Sequence, residues 1–92
     1  MGRVEGKACV VTGAGSGIGK AIAERLSEEG GKVLCVDLNG ETATVTVEGI
    51  HHADGIAEAF TADVSDPKQV DAFIARCVEL YSGIDVLVNN AG

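Results

Sequence analysis

Apolar positions along this chain follow two alternating rhythms. Lys7–Gly13 (KACVVTG), Lys32–Asp37 (KVLCVD), Ile56–Asp63 (IAEAFTAD) and Ile84–Asn89 (IDVLVN) are short apolar runs, each closed by a polar or turn-forming residue. Runs of this length and composition predict buried strands. Between them the period lengthens. In Gly17–Gly31, Ile18, Ile22 and Leu26 recur at four-residue spacing with Ala21 beside them, and Lys20, Glu24, Arg25, Glu28 and Glu29 take the other face. That pattern predicts an amphipathic helix stopped by Gly30 and Gly31. In Ser65–Gly83, Asp66 can cap, Pro67 suits the first helical turn and Gln69 completes a capping-box spacing. Val70, Phe73, Ile74, Cys77 and Tyr81 form the apolar stripe there, and Gly83 ends it.

One stretch is ambiguous on local grounds. Thr42–Val47 alternates Thr with Ala or Val, and its β-branched residues favour a strand. Its neighbours demand otherwise: a crossover between parallel strands needs about a dozen residues and is usually helical. The region Leu38–Gly55 is therefore read as a helix, and the whole chain as βαβαβαβ. Such alternation implies an α/β fold with a parallel sheet and right-handed crossovers.

Composition narrows the function classes. The 92 residues allow one small domain, and 46% of them are apolar, enough for a core. A net charge of −7 without any Lys/Arg run argues against nucleic-acid or anionic-membrane surfaces. No stretch approaches the ~20 apolar residues of a membrane span. Cys9, Cys35 and Cys77 are odd in number, far apart and each in an apolar run. They read as buried free thiols of a cytoplasmic protein rather than a disulfide framework or zinc site.

The most informative stretch is VVTGAGSGIGKAIA. Gly13, Gly17 and Gly19 stand directly after a predicted strand and open a helix. Gly13 permits the tight turn, Gly17 lets backbone approach a pyrophosphate, and Gly19 lets the helix pack closely on the sheet. The helix N-terminus then offers unpaired N–H groups and partial positive charge. Thr12 and Ser16 add hydroxyls for turn backbone or phosphate. Asp37 ends the second strand eighteen residues after Gly19. A carboxylate there can accept from adenosine ribose hydroxyls and would repel a 2′-phosphate. Positions 16 and 38 are Ser and Leu, so no cation stands ready to neutralise such a phosphate. These features point to NAD(H) rather than NADP(H).

TGAGSGIG, Asp37, ADVSD and DVLVNNAG together resemble the short-chain dehydrogenase/reductase family in its NAD-using form, over essentially the whole chain. The resemblance implies a partial Rossmann (doubly wound) sheet of strand order 3-2-1-4, truncated after the fourth strand. It also implies roles. Gly13, Ser16, Gly17, Ile18 and Gly19 would line the pyrophosphate and nicotinamide-side ribose, and Asp37 and Leu38 would hold the adenine ribose. Asp63 and Val64 would flank adenine, with Asp63 also able to cap the next helix. Asn90, Ala91 and Gly92 would pass beside the cofactor ribose, and Asn89 would tie adjacent strands.

The family acts with a Ser, a Tyr-x-x-x-Lys pair and a helical Asn, on a secondary alcohol or ketone. Here Tyr81 is the only tyrosine, Asp85 stands four residues on, and no lysine follows Lys68. Tyr81 reads as a helix contact, and His51 and His52 as surface residues. Residues 1–92 are thus expected to be the N-terminal dinucleotide-binding half of such an enzyme, inactive alone. The fourth strand would form an open edge, suited to self- or hetero-association. A single helix would cover its side of the sheet and leave part of that face to water.

Overall fold

The computed structural model describes residues 3–90. Seven elements follow in the expected alternation: β1 (Ala8–Thr12), α1 (Gly17–Glu28), β2 (Lys32–Asp37), α2 (Gly40–His52), β3 (Ile56–Thr61), α3 (Pro67–Tyr81) and β4 (Val86–Val88). The four strands are parallel in the order β3-β2-β1-β4. β1 lies at the centre with all five residues buried. Its side chains alternate between two cores, as the period of a strand requires. Cys9 and Val11 join Val33, Cys35, Ala23, Val47 and Ile50 beneath α1 and α2, while Ala8 and Val10 join Leu34, Val36, Phe73 and Cys77 beneath α3.

α2 is helical despite its β-branched run, for identifiable reasons. Asn39 caps it, its side-chain oxygen accepting from the N–H groups of Glu41 and Thr42. The hydroxyls of Thr42 and Thr44 donate to the carbonyls of Asn39 and Gly40, at 3.0 and 2.8 Å. Within the alternating sequence lies a helical stripe, Ala43, Thr46, Val47 and Ile50, and those four are the buried residues. Burial of this stripe outweighs a propensity deficit of a few tenths of a kcal/mol per residue.

Two local expectations are corrected. In α1, Ile18 is 72% exposed and Ala21 is also exposed; the buried residues are Gly19 and Ala23, with Ile22 and Leu26 packed beside them. The helix is rotated so that its glycine, not its first isoleucine, meets the sheet. At the end of α3 the left-handed residue is Ser82 (φ 68°), whose N–H donates to Val78, whereas Gly83 is extended.

β4 is only three residues long, yet it is fastened at both ends. Asp85 donates its N–H to the Ala8 carbonyl and accepts the Ala8 N–H on its carboxylate, both at 2.8 Å. At the other end the Thr12 hydroxyl accepts from the Asn90 N–H at 2.9 Å and lies within 3.3 Å of Asn89 Oδ1. Leu87, in register with Val10 on the α3 side, remains 53% exposed. The sheet surface left uncovered by a lone helix is thus found at β4.

Candidate functional site

The carboxyl ends of β1, β2 and β4 bring together most of the residues singled out in the sequence. β1 ends at Thr12, and the turn to α1 passes through Gly13 at φ 65° and Gly17 at φ 57°, a region costly for residues with a Cβ. A Cβ on Gly19 would lie 1.9 Å from the Gly13 carbonyl oxygen and 2.7 Å from Asn90 Nδ2. The first turn of α1 therefore sits directly against the end of β1 and the chain leaving β4, and only glycine permits this.

The three helix N-termini differ. Asn39 and Asp66 cap α2 and α3 with their side chains, but Ser16 at the start of α1 makes no side-chain cap bond, and the first turn of α1 carries no acidic residue. Ser16, Gly17 and Ile18 are exposed. Early amides of a helix have no intrahelical acceptor, so this end presents donors and partial positive charge outward.

Asp37 lies on the same edge of the sheet. Its Oδ2 accepts the Gly15 N–H at 2.8 Å and its Oδ1 accepts the Asn39 N–H at 2.9 Å. Glycine turn and acid are thereby joined in one hydrogen-bonded unit. Asp37 also borders an open depression with Leu38, Asn39, Gly40, Thr44 and Thr61. Leu38 is 71% exposed above it.

α2 holds the turn from behind. The buried Thr46 hydroxyl donates to the Ala14 carbonyl at 2.9 Å, and the Ala14 N–H donates to Val36 at 3.1 Å. An unpaired carbonyl at that depth would cost about 1–3 kcal/mol. A Cβ on Gly15 would fall 2.1 Å from Thr42 Oγ1, so Thr42 packs on the turn one helical turn before Thr46. Gly15, Thr42 and Thr46 escaped the sequence reading. Gly15 stands in the same glycine run, and the two threonines are spaced i, i+4, a helical signal masked by the period-2 alternation.

Asp63 and Val64 follow β3, whose exit is tied to β2 by the Ala62 N–H donating to the Asp37 carbonyl at 3.0 Å. Asp63 Oδ1 accepts from the N–H and hydroxyl of Ser65, at 2.9 and 2.6 Å, and these two bonds hold its carboxyl below the usual range. Asp63 does not cap α3; Asp66 does, accepting from the Lys68 N–H. Gln69 departs from the capping-box pattern, its side-chain oxygen accepting the Asp63 N–H at 2.7 Å. Val64 lines a mostly apolar cavity of about 350 Å3 with Val70, Phe73, Ile74 and Leu87, which reaches Thr12 and Asn89 at the ends of β1 and β4. Asn90 stands against Gly19. Ala91 and Gly92, also expected at the site, lie outside the described residues.

Other candidates have structural explanations. The Tyr81 hydroxyl donates to the Val33 carbonyl at 3.4 Å, and burial pushes it well above the ordinary phenol range. His51 is exposed, with Nε2 2.9 Å from the Ala57 carbonyl oxygen. The three cysteines are buried and unpaired; burial pushes the Cys9 thiol up to about 11 and that of Cys35 up to about 12. Among the described residues, no helix is long and apolar enough to cross a membrane, and no cluster of three or more His, Cys, Asp or Glu could hold a metal.

Comparison with known proteins agrees with this geometry. The family model described as short chain dehydrogenase matches residues 7–92. A 3beta-hydroxysteroid dehydrogenase of Mediterraneibacter gnavus is 44% identical over 92 residues, covering all of this chain and 33% of that protein. A 3-oxoacyl-[acyl-carrier-protein] reductase of Thermotoga maritima is 39% identical over 90 residues, covering 98% of this chain and 37% of that protein. In three dimensions, a hydroxysteroid dehydrogenase from Escherichia coli superimposes with a TM-score of 0.95 at 36% identity, covering 98% of this chain and 38% of that one. The chain thus spans 33 to 38% of the length of these relatives.

Proposed function

The chain belongs to the short-chain dehydrogenase family, and from that premise we propose that it is the NAD(H)-binding portion of an oxidoreductase that interconverts a secondary alcohol and a ketone. One observation carries the reading: Asp37 and the glycine turn share an edge of the sheet and are joined by the 2.8 Å bond from the Gly15 N–H. Ligands of open α/β sheets bind beyond the carboxyl ends of the strands, where strand order reverses. Here that reversal falls between β1 and β4, beside the uncapped end of α1.

The residues fit a dinucleotide. Gly13, Ser16, Gly17, Ile18 and Gly19 would hold the pyrophosphate and adjoining ribose through backbone donors and the helix dipole. Asp37 and Leu38 would hold the adenosine ribose, and Asp63 and Val64 the adenine. Asn90, Ala91 and Gly92 would border the second ribose. When bound, the nicotinamide gives or takes the hydride. Asp37 would accept from the ribose hydroxyls and repel a 2′-phosphate, so the cofactor is NAD(H). The names of the relatives, hydroxysteroid dehydrogenase and 3-oxoacyl reductase, agree with alcohol–ketone chemistry. Residues 1–92 contain no Tyr-x-x-x-Lys pair, so this stretch binds cofactor and does not itself turn over substrate. Titrating the chain with NAD and NADP, followed by amide chemical shifts, tests the reading. NAD should perturb Gly13–Gly19 and Asp37 at lower concentration than NADP. Equal or NADP-biased binding would refute it.

A second reading rests on the two outer strands. On β3, Glu58 pairs with Arg76 at 2.6 Å beside the sheet, a charged obstacle to further pairing. β4 carries none, and Leu87 stands half-exposed next to the apolar cavity. We propose that the chain also associates through β4, with a second copy or another protein. Sedimentation of the chain with Leu87→Lys against the parent decides it: the parent should self-associate with rising concentration and the variant should not.

A further inference from the structure

We propose that Gly15 is a positioning residue that sets nucleotide preference by holding the Asp37 carboxylate in one orientation. The inference rests on the dinucleotide reading above and adds a specificity mechanism to it. A carboxylate has two oxygens and about four acceptor positions. In this structure one position on each oxygen is already taken, Oδ2 by the Gly15 N–H at 2.8 Å and Oδ1 by the Asn39 N–H at 2.9 Å. The two donors come from different parts of the fold and engage different oxygens, one in the glycine turn and one at the start of α2. They fix its rotation about the side-chain axis. The remaining acceptor positions are presented in a set direction along the depression lined by Leu38, Asn39, Gly40 and Thr44.

A fixed acid discriminates more strongly than a free one. Paired hydroxyls of a ribose find two acceptors already oriented, which spares the entropy of ordering them. A 2′-phosphate meets a negative charge that cannot swing away, since rotation would break two charge-assisted bonds. Position 15 is where this arrangement is most constrained. A Cβ there would lie 2.1 Å from Thr42 Oγ1, 2.7 Å from Thr42 Cβ and 2.9 Å from Asp37 Oδ2. Thr42 cannot yield freely, because its hydroxyl donates to the Asn39 carbonyl at 3.0 Å and its backbone belongs to α2. Any side chain at position 15 therefore presses on the acid from one side while Thr42 closes the other.

The test is the ratio of dissociation constants for NADP and NAD, measured by amide-shift titration of the chain. Three proteins are compared: the parent, Gly15→Ala, and Gly15→Ala combined with Thr42→Gly. The parent should prefer NAD, and Gly15→Ala should narrow that preference by about tenfold, mostly through weaker NAD binding. The double variant leaves the new methyl room away from Asp37 and should fall between the two. A folded Gly15→Ala protein with the parent's ratio overturns the proposal. Should Gly15→Ala not fold, the double variant decides: a ratio below the parent's supports the proposal, and an unchanged ratio overturns it. If the parent binds neither nucleotide, the dinucleotide reading itself falls and this inference with it. Failure of the positioning role alone shows instead as a parent preference that Gly15→Ala leaves intact.

Discussion

Replacing Gly19 by alanine is expected to cost about 3 kcal/mol of folding stability, near the top of the range for inserting atoms into a packed contact. The new Cβ would lie 1.9 Å from the Gly13 carbonyl oxygen, a backbone atom that cannot rotate aside, and 2.7 Å from Asn90 Nδ2. Relief requires α1 to lift from β1, and that would uncover Ala23, which is fully buried on the inner face of the helix. For a domain of this size the melting temperature should fall by roughly 12 to 24 °C. Gly49→Ala supplies the control with the opposite sign. Gly49 is exposed within α2, and a Cβ there meets nothing within 4 Å. That change should raise stability by up to about 1 kcal/mol, since alanine loses less backbone entropy in a helix. Thermal unfolding followed by circular dichroism reads both. A Gly19→Ala protein that melts with the parent would show that α1 does not approach the turn this closely.

Asp37→Ala should reverse the order of nucleotide affinities. Hydrogen bonds to a charged acceptor contribute about 1.5–3 kcal/mol, so loss of the carboxylate should weaken NAD binding roughly 10- to 100-fold. NADP should bind more tightly than it does to the parent, because the repulsion of its 2′-phosphate is removed. The fold should tolerate the change. The Asn39 N–H is exposed and the Gly15 N–H only part-buried, so water can replace the lost acceptor. Titration with both nucleotides, beside a melting curve, separates recognition from folding. If the variant keeps the parent's preference and its melting temperature, Asp37 is not the group that reads the ribose.

Much of this was legible along the chain. The four strands, α1 and α3 followed from apolar runs and four-residue spacing, and the cap at Asp66 lies where a polar residue precedes a periodic segment. The glycine turn and Asp37 were readable because conformational freedom and negative charge are properties of single residue types. α2 was harder, since its threonines report a local preference that burial of Ala43, Thr46, Val47 and Ile50 overrides. Ile18 misled for a related reason. Spacing alone marks a residue as apolar and periodic, but not which way the helix is rotated against its neighbour.

What the sequence by itself determined is the alternation of strand and helix, the family, and the residue types at the end of each strand. Only the tertiary structure decided that Gly15 donates to Asp37, that Thr42 and Thr46 brace the turn from α2, and that Thr12 and Asp85 fasten a three-residue β4. The reason is physical. Helix periodicity and turn preference act between residues a few positions apart, and so leave a mark in the order of residues. The Gly15–Asp37 and Thr12–Asn90 bonds join residues 22 and 78 positions apart. They come into being when parallel strands bring their carboxyl ends to one edge, where hydrogen-bonding groups without a partner in their own element find one in another.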